Sequence, residues 1–281
     1  MKHCARVAML MATLLAVAVA ASPASATPPD TVSGLPVQLS LGDSWAFGFG
    51  AAVPSEGGYV PRLHTALQEE YDCSPAASEE SQDGCKQLQL VNVAVGGATT
   101  PTLIQNQLPG ATELLESRNG DDNPANDVEV VTLHIGGNDV TNPIIAACLG
   151  GLTSSCLGVI QAEFAAYSSD LDQALSALRS AAGPDARIVI GTYDNPIATC
   201  FLGAVPGAVQ LANVVLEGLA PFVPQGLHDI MRDIGADYGV EVAEVFGDLG
   251  PQDWVGGNDC LHPDDSGYEK VAAAFVEVLA S

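Results

Sequence analysis

From Val37 to Leu41 apolar and polar side chains alternate as on a half-buried strand, and the run stops at Gly42. Comparable short runs recur at Leu88–Val95, Val128–Ile135, Arg187–Thr192 and Val240–Val245. Val128–Ile135 is almost continuously apolar, which suits a strand covered on both faces of a sheet. Between these runs the apolar residues fall at helical spacing over Tyr59–Tyr71, Pro101–Glu116, Gly158–Ala182, Leu227–Tyr238 and Asp265–Leu279. Pro61 stands in a first turn, where its missing N–H costs nothing, and Gly183-Pro184 closes the longest helix. The small-residue stretch Ala46–Gly57 reads as a loop, as does the polar stretch 72–87. Asn119–Asp127 is rich in Asp and Asn but has neither the spacing nor the central glycine of a calcium loop, so it reads as a solvated turn. Residues 197–225 are apolar, studded with Gly and Pro, and fit no element. Strand and helix alternate throughout, which predicts an α/β fold: one parallel, doubly wound, five-stranded sheet with helices on both faces.

The first 26 residues change this picture only by standing outside it. Lys2 and Arg6 precede an apolar run from Val7 to Ala21, and Ala24-Ser25-Ala26 fits a small-residue cleavage site. We therefore expect a signal peptide over 1–26, cleavage after Ala26, and a secreted catalytic domain over 27–281. No later segment is apolar for long enough to span a bilayer, so no stable membrane anchor is expected.

With 34 Asp and Glu against nine Lys and Arg, the formal net charge is −25. That balance excludes nucleic acid and anionic membrane as partners held by bulk electrostatics. Of seven cysteines, Cys4 falls in the leader. The remaining six suggest disulfides in an exported chain. Cys73 with Cys85 and Cys148 with Cys156 form two local pairs, each within one candidate loop, which leaves Cys200 with Cys260. Zinc binding is the competing reading, but there is no Cys-x-x-Cys and no adjacent pair of histidines.

Four segments at strand ends or in late loops carry the unusual polar residues: Gly42-Asp43-Ser44, Asn92 to Gly97, Gly136 to Asp139, and Asp259 to His262. In a parallel sheet such ends converge on one edge, where ligands bind. Each residue type there has a use in acyl transfer. Ser44 needs a base to be nucleophilic, His262 is the natural one, and Asp259, three residues earlier, can hold its imidazole. The N–H groups of Ser44 and Gly97 and the side-chain amide of Asn138 offer donors for an oxyanion. Asp43 reads as a turn-stabilising residue rather than a catalytic one, and His134, inside an apolar strand, as a satisfied core histidine. His64 and His228 receive no role. A metal site built from Asp259, His262, Asp264 and Asp265 would lack a second imidazole or thiolate, so neither metal nor cofactor is expected.

These four ordered blocks resemble the SGNH hydrolases, also called GDSL esterases and lipases, over essentially all of 27–281. The resemblance implies the flavodoxin-like, three-layer α/β/α arrangement. It also implies Ser44 as nucleophile, His262 as general base aided by Asp259, and Ser44, Gly97 and Asn138 as the oxyanion hole. The six-cysteine pattern is similar to the secreted bacterial branch, whose three sequential disulfides imply Cys73–Cys85, Cys148–Cys156 and Cys200–Cys260. One departure is Trp45, where the name motif has Leu, which bears on the walls of the site rather than on its chemistry. There is no Gly-x-Ser-x-Gly elbow of the ordinary α/β-hydrolase lipases.

The expectation is then a secreted, monomeric serine esterase or lipase acting on small-molecule or lipid esters, with at most transient contact with lipid surfaces. A phospholipase or a carbohydrate acetyl esterase on the same fold are alternatives. A non-catalytic binding protein is disfavoured by an intact Ser44, Asn138, Asp259 and His262. The apolar stretch Ile197–Val223 is either a wall of an acyl pocket or a core helix with awkward loops; pattern alone leaves both open.

Overall fold

The structure is a computed structural model and describes residues 34–70, 87–148 and 150–281. The leader assigned to 1–26 and the Cys73–Cys85 pairing lie outside these residues. Five strands form a single sheet: β1 (Val37–Gly42), β2 (Gln89–Asn92), β3 (Val128–His134), β4 (Arg187–Gly191) and β5 (Glu241–Ala243). Their order is β2-β1-β3-β4-β5, and every neighbouring pair is parallel. Chain order reverses between β1 and β3. In a doubly wound sheet, that reversal opens a crevice at the carboxyl ends of the strands.

The helices run α1 (Ser44–Phe47), α2 (Pro54–Gly57), α3 (Tyr59–Glu70), α4 (Thr100–Asn106), α5 (Leu108–Asn119), α6 (Gly137–Cys148), α7 (Ser154–Ala182), α8 (Ala208–Glu217), α9 (Leu227–Asp237) and α10 (Asp265–Leu279). One face of the sheet carries α3 against α10; the other carries α4, α5, α6 and α9 gathered around α7. Every residue of β1 is buried, which is the reason its alternation is only partial: even Gln38 and Ser40 lie inside. Ser40 Oγ is matched to Thr132 Oγ1 at 2.7 Å and Gln38 Oε1 to His64 Nδ1 at 3.2 Å, while Gln38 Nε2 has no partner. Where they are matched, buried polar groups keep their cost low. Tyr59 of α3 stacks on Phe275 of α10 at 4.8 Å, and both are fully buried.

The stretch Ala46–Gly57, expected as a loop, holds the end of α1 and all of α2, and three further expectations need correction. The helix expected over Pro101–Glu116 is two helices broken at Gln107. Pro109 sits in the first turn of α5, and a proline there cannot donate the hydrogen bond that would continue α4. Cys148 and Cys156 are expected within one loop, but Gly137–Cys148, to which the pattern gives no element, is a helix. It contains Pro143, and Val140, Ile144 and Cys148 form its buried face at a spacing of four. Cys148 therefore ends a helix and Cys156 stands in the first turn of α7, so their disulfide joins two helices rather than closing a loop. His134 is the third correction. It is fully buried, but neither ring nitrogen has a hydrogen-bond partner. Its ring lies instead among Trp45, Tyr193 and Tyr59, with centroids 5.0, 4.5 and 5.5 Å away. Burial pushes its pKa down to about 3, so it serves as a neutral aromatic ring.

The approach of β1 to β3 is set at Gly42. Its φ is +140°, and a Cβ there would lie 2.2 Å from the His134 carbonyl oxygen. We expect Gly42→Ala to cost about 3 kcal/mol or more, as strained backbone and overpacking combine. Urea denaturation of the variant beside wild type checks this; a cost below about 1 kcal/mol would show that the strands can relax apart.

Candidate active site

The turn that leaves β1 is held from several sides. Gln107, nearly fully buried, brackets Gly42: its Oε1 accepts the Gly42 N–H at 2.9 Å and its Nε2 donates to the Gly42 carbonyl at 2.8 Å. The Asp43 N–H donates to the His134 carbonyl at 2.9 Å. Asp43 then caps α1, its Oδ1 accepting the Trp45 N–H at 2.9 Å. Because α1 begins at Ser44, the Ser44 N–H has no intrahelical acceptor and remains an open donor beside its own hydroxyl.

The segment between β5 and α10 brings His262 to that hydroxyl. His262 Nε2 is 2.9 Å from Ser44 Oγ, across 218 positions of sequence. On the other side of the ring, Nδ1 faces Asp259, at 2.8 Å from Oδ2 and 3.1 Å from Oδ1. Asp259 Oδ1 also accepts the N–H groups of Leu261 and His262, at 2.8 and 3.0 Å. Burial works to raise the Asp259 pKa, but the hydrogen bonds and charge of His262 with these backbone donors outweigh it, and the net shift is downward. Ser44 Oγ, the imidazole and a carboxylate held in its charged form thus stand in line. That order allows a proton to move from hydroxyl to ring.

Trp45 joins the two halves. Its indole N–H donates to the Leu261 carbonyl at 2.9 Å, while its ring packs on Tyr193, Trp254 and Tyr268. Val255 N–H adds a bond to the His262 carbonyl at 3.1 Å, and Cys260 is bonded to Cys200. The other two members of the weighed metal set are engaged elsewhere. Asp264 caps α10 through the Ser266 and Gly267 N–H groups, and Asp265 accepts from Ala52. Among the described residues no cluster of three or more His, Cys, Asp or Glu side chains could hold a metal ion.

The remaining donors come from the ends of β2 and β3. Val95 N–H donates to the Gly42 carbonyl at 3.0 Å and Ala98 N–H to the Val95 carbonyl at 3.1 Å, which lays the turn carrying Gly97 along the end of β1. Asn92 Nδ2 bonds the Ala46 carbonyl at 2.9 Å. Asn138 Nδ2 donates to the Ala98 carbonyl at 2.9 Å, and Asp139 accepts the Thr100 N–H through both oxygens, at 2.9 and 3.0 Å. Burial raises the Asp139 pKa against these bonds. Gly97 has φ +78° and open space where a Cβ would stand. It is exposed and does not line the cavity, whereas Asn138 lines it together with Ser44.

That cavity has a volume of about 460 Å³. Its walls are mostly apolar: Val140 and Ile144 of α6, Ile197 and Leu202 of two 3-10 turns, Val214 of α8, and Leu261. Of the stretch Ile197–Val223, residues between Ile197 and Leu219 line the cavity while Phe201 and Phe222 do not, and Val214 and Val215 of α8 also pack into the core. Both described disulfides contribute a cysteine to the lining.

Sequence reasoning missed Gln107 and Tyr193. Tyr193 OH donates to Asp43 Oδ2 at 2.6 Å, and its backbone N–H donates to His228 Nε2 at 3.1 Å. His228 Nδ1 bonds the Glu217 carboxylate, so a ring given no role links the wall helix α8 to the end of β4. Burial lowers the His228 pKa, in keeping with an Nε2 that accepts. Nothing in the order of residues marks Tyr193 out, although a tyrosine directly after a buried strand is a natural polar link.

Residues 40–270 match the model of the GDSL-like lipase/acylhydrolase family, and the chain belongs to that family. Among solved structures it is similar to an extracellular lipase from Streptomyces rimosus (TM-score 0.56, 19% identity, covering 86% of this chain and 99% of that one). It is also similar to a lipase from a goat rumen metagenome (TM-score 0.55, 16% identity, 86% and 97%) and to a phospholipase A1 from Streptomyces albidoflavus (TM-score 0.50, 20% identity, 88% and 98%). At these identities the likeness is one of fold. Comparison with curated proteins gave no match.

Burial pushes the Asp43 carboxyl up to about 7, opposed by the Tyr193 hydroxyl and the Trp45 N–H. A carboxyl whose folded pKa is raised favours folding most when protonated, and that contribution is lost as pH rises through about 7. Tyr193→Phe removes a donor that matters most to the ionised form. We expect it to cost about 1 kcal/mol near pH 5, where the bond is between neutral groups, and roughly 2–3 kcal/mol near pH 9. Urea denaturation of both proteins across that range measures the difference; a cost independent of pH would mean that Asp43 does not titrate there.

Proposed function

We propose that this chain is a secreted serine esterase or lipase that hydrolyses carboxylic esters of acyl chains through an acyl-enzyme. The observation that carries the reading is the contact of Ser44 Oγ with His262 Nε2 at 2.9 Å, backed by Asp259 and opening on a largely apolar cavity. As Ser44 attacks the ester carbonyl, His262 Nε2 takes the hydroxyl proton and Asp259 stabilises the imidazolium. The carbonyl oxygen becomes an oxyanion whose donors in this reading are the Ser44 N–H and the Asn138 amide at the cavity, with the Gly97 N–H as a third from the neighbouring turn. Each such donor contributes about 3–4 kcal/mol to barrier lowering. The imidazolium returns its proton to the departing alkoxide, leaving the acyl group on Ser44. Water, deprotonated by the same ring, then releases the acid.

The apolar walls favour acyl-chain esters over sugar acetates, since a polar sugar would leave hydroxyl groups unpaired there. Export is supported by the leader-like pattern of residues 1–26 and by two disulfides among the described residues.

Hydrolysis of p-nitrophenyl esters from acetate to palmitate tests both parts. Ser44→Ala is expected to lower kcat at least about a thousandfold while leaving the circular dichroism unchanged. An optimum beyond acetate is expected for wild type. Retained activity in the variant removes Ser44 as nucleophile, and a sharp acetate optimum favours a carbohydrate acetyl esterase.

A second outcome follows from Cys200–Cys260, which ties the cavity wall to the segment carrying Asp259 and His262. On titration with reductant, activity is expected to fall before the far-ultraviolet circular dichroism does. Parallel loss of both would assign the bridge to global stability alone.

A further inference from the structure

The large apolar side chains that stay strongly exposed are not scattered. Among the described residues, all of them fall in the segments that leave the carboxyl ends of β1, β3, β4 and β5. Several surround the cavity. Leu152 and Leu219 line it and are also exposed, and so does Leu261, whose neighbour is His262. Phe49, 49% exposed, has its ring 4.6 Å from the His262 ring. Val255 bonds the His262 carbonyl through its N–H. Phe222, 57% exposed, is hydrogen-bonded through its own N–H to Leu219. Phe201 hangs from the same face through its N–H bond to the Gly257 carbonyl. Single exposed apolar residues are ordinary; their confinement to one end of the molecule, around one apolar cavity, is not.

The charge of this end is equally one-sided. Residues 43–58, 135–153, 192–226 and 244–264 contain no Lys or Arg, in a chain whose net charge is already −25. Cations reach these segments from the neighbouring helices, Arg62 at Gly57, Arg232 at Glu217 and Glu244, and Lys270 at Asp248 and Asp253, but each is paired with a carboxylate. With the cations that reach it already paired, such a surface offers little to attract an anionic lipid headgroup, and the net charge of the chain repels one. It presents phenylalanine and leucine to whatever covers it.

We infer that the cavity-bearing end of the molecule docks on an uncharged or zwitterionic lipid surface. The inference rests on the esterase reading and adds the place from which the ester is drawn. An acyl chain that enters from such a surface passes from one apolar medium to another; with the rim in open solvent, it would first have to be exposed to water. Phe201 and Phe222 insert, and the net negative charge selects against anionic lipid.

Cosedimentation with vesicles tests this, using the Ser44→Ala protein so that bound lipid is not consumed. Binding to phosphatidylcholine vesicles is expected, with weaker binding to vesicles enriched in phosphatidylglycerol that recovers as salt screens the repulsion. Adding Phe201→Ser and Phe222→Ser is expected to lower partitioning onto phosphatidylcholine at least about tenfold. In the protein that keeps Ser44, the same two changes are expected to leave hydrolysis of soluble p-nitrophenyl butyrate within about twofold, since neither ring lines the cavity.

No binding to phosphatidylcholine, binding untouched by the two substitutions, or preference for phosphatidylglycerol would each overturn the inference. So would a wild-type dimer that these substitutions dissolve, which would assign the face to a second copy of the chain. Vesicle binding without soluble-ester hydrolysis would instead overturn the esterase reading and leave the docking surface standing.

Discussion

Gly42 is where the sheet and the site are the same object. With no side chain, it lets the end of β1 come within contact of the His134 carbonyl, closer than any other residue could. Gln107 grips both its N–H and its carbonyl, and Val95 shares that carbonyl. The next peptide bonds back to β3 through Asp43, so Ser44 leaves the sheet at a point fixed by three neighbouring segments. The constraint then crosses the molecule through Trp45, whose indole N–H holds the residue before His262. A hydrogen bond between residues so distant in sequence can hold its length only if both backbones are already positioned, and this chain of contacts does the positioning.

A second set of polar groups, buried up to the half-exposed Glu217, runs beneath the turn that carries Ser44. Asp43, Tyr193, His228 and Glu217 follow one another, each bonded to the next, from the N-cap of α1 to the end of the wall helix α8. Groups of this kind are costly to bury alone and tolerable when each has a partner. Their arrangement means that the wall of the cavity and the serine are not independent. A shift of α8 reaches Asp43 through a tyrosine backbone and a histidine ring. His134, beside them, shows the other solution: a polar ring that loses its hydrogen bonds, stays neutral, and is used as an aromatic surface.

The parts of this structure that could be read in the sequence are those where a local pattern and a chemical need coincide. Apolar runs ending in glycine marked β1 and β3, because a parallel sheet needs buried strands and its rim needs tight turns. The helical spacing over Asp265–Leu279 marked α10, and in the structure Asp264 caps it, its carboxylate satisfying free N–H groups. Helix α6 was hidden because Gly137 and Pro143 are breakers by local rule, and only packing against α7 overrides them. Gln107 was hidden for a different reason. Nothing distinguishes a glutamine that brackets a distant glycine from its polar neighbours until the chain is folded. Trp45 looked like a change in the wall, whereas its indole N–H makes it a tie between the two halves of the site.

The chain has two tryptophans, Trp45 and Trp254. Both are nearly fully buried, their rings lie 5.9 Å apart edge to face, and Trp254 pairs in a β-bridge with Pro263, next to His262. Almost all of the intrinsic emission of this protein therefore originates at the junction between the serine turn and the histidine segment. Tryptophan fluorescence is a built-in optical probe of that junction, and it will register a loosened site even while the sheet and its outer helices remain intact.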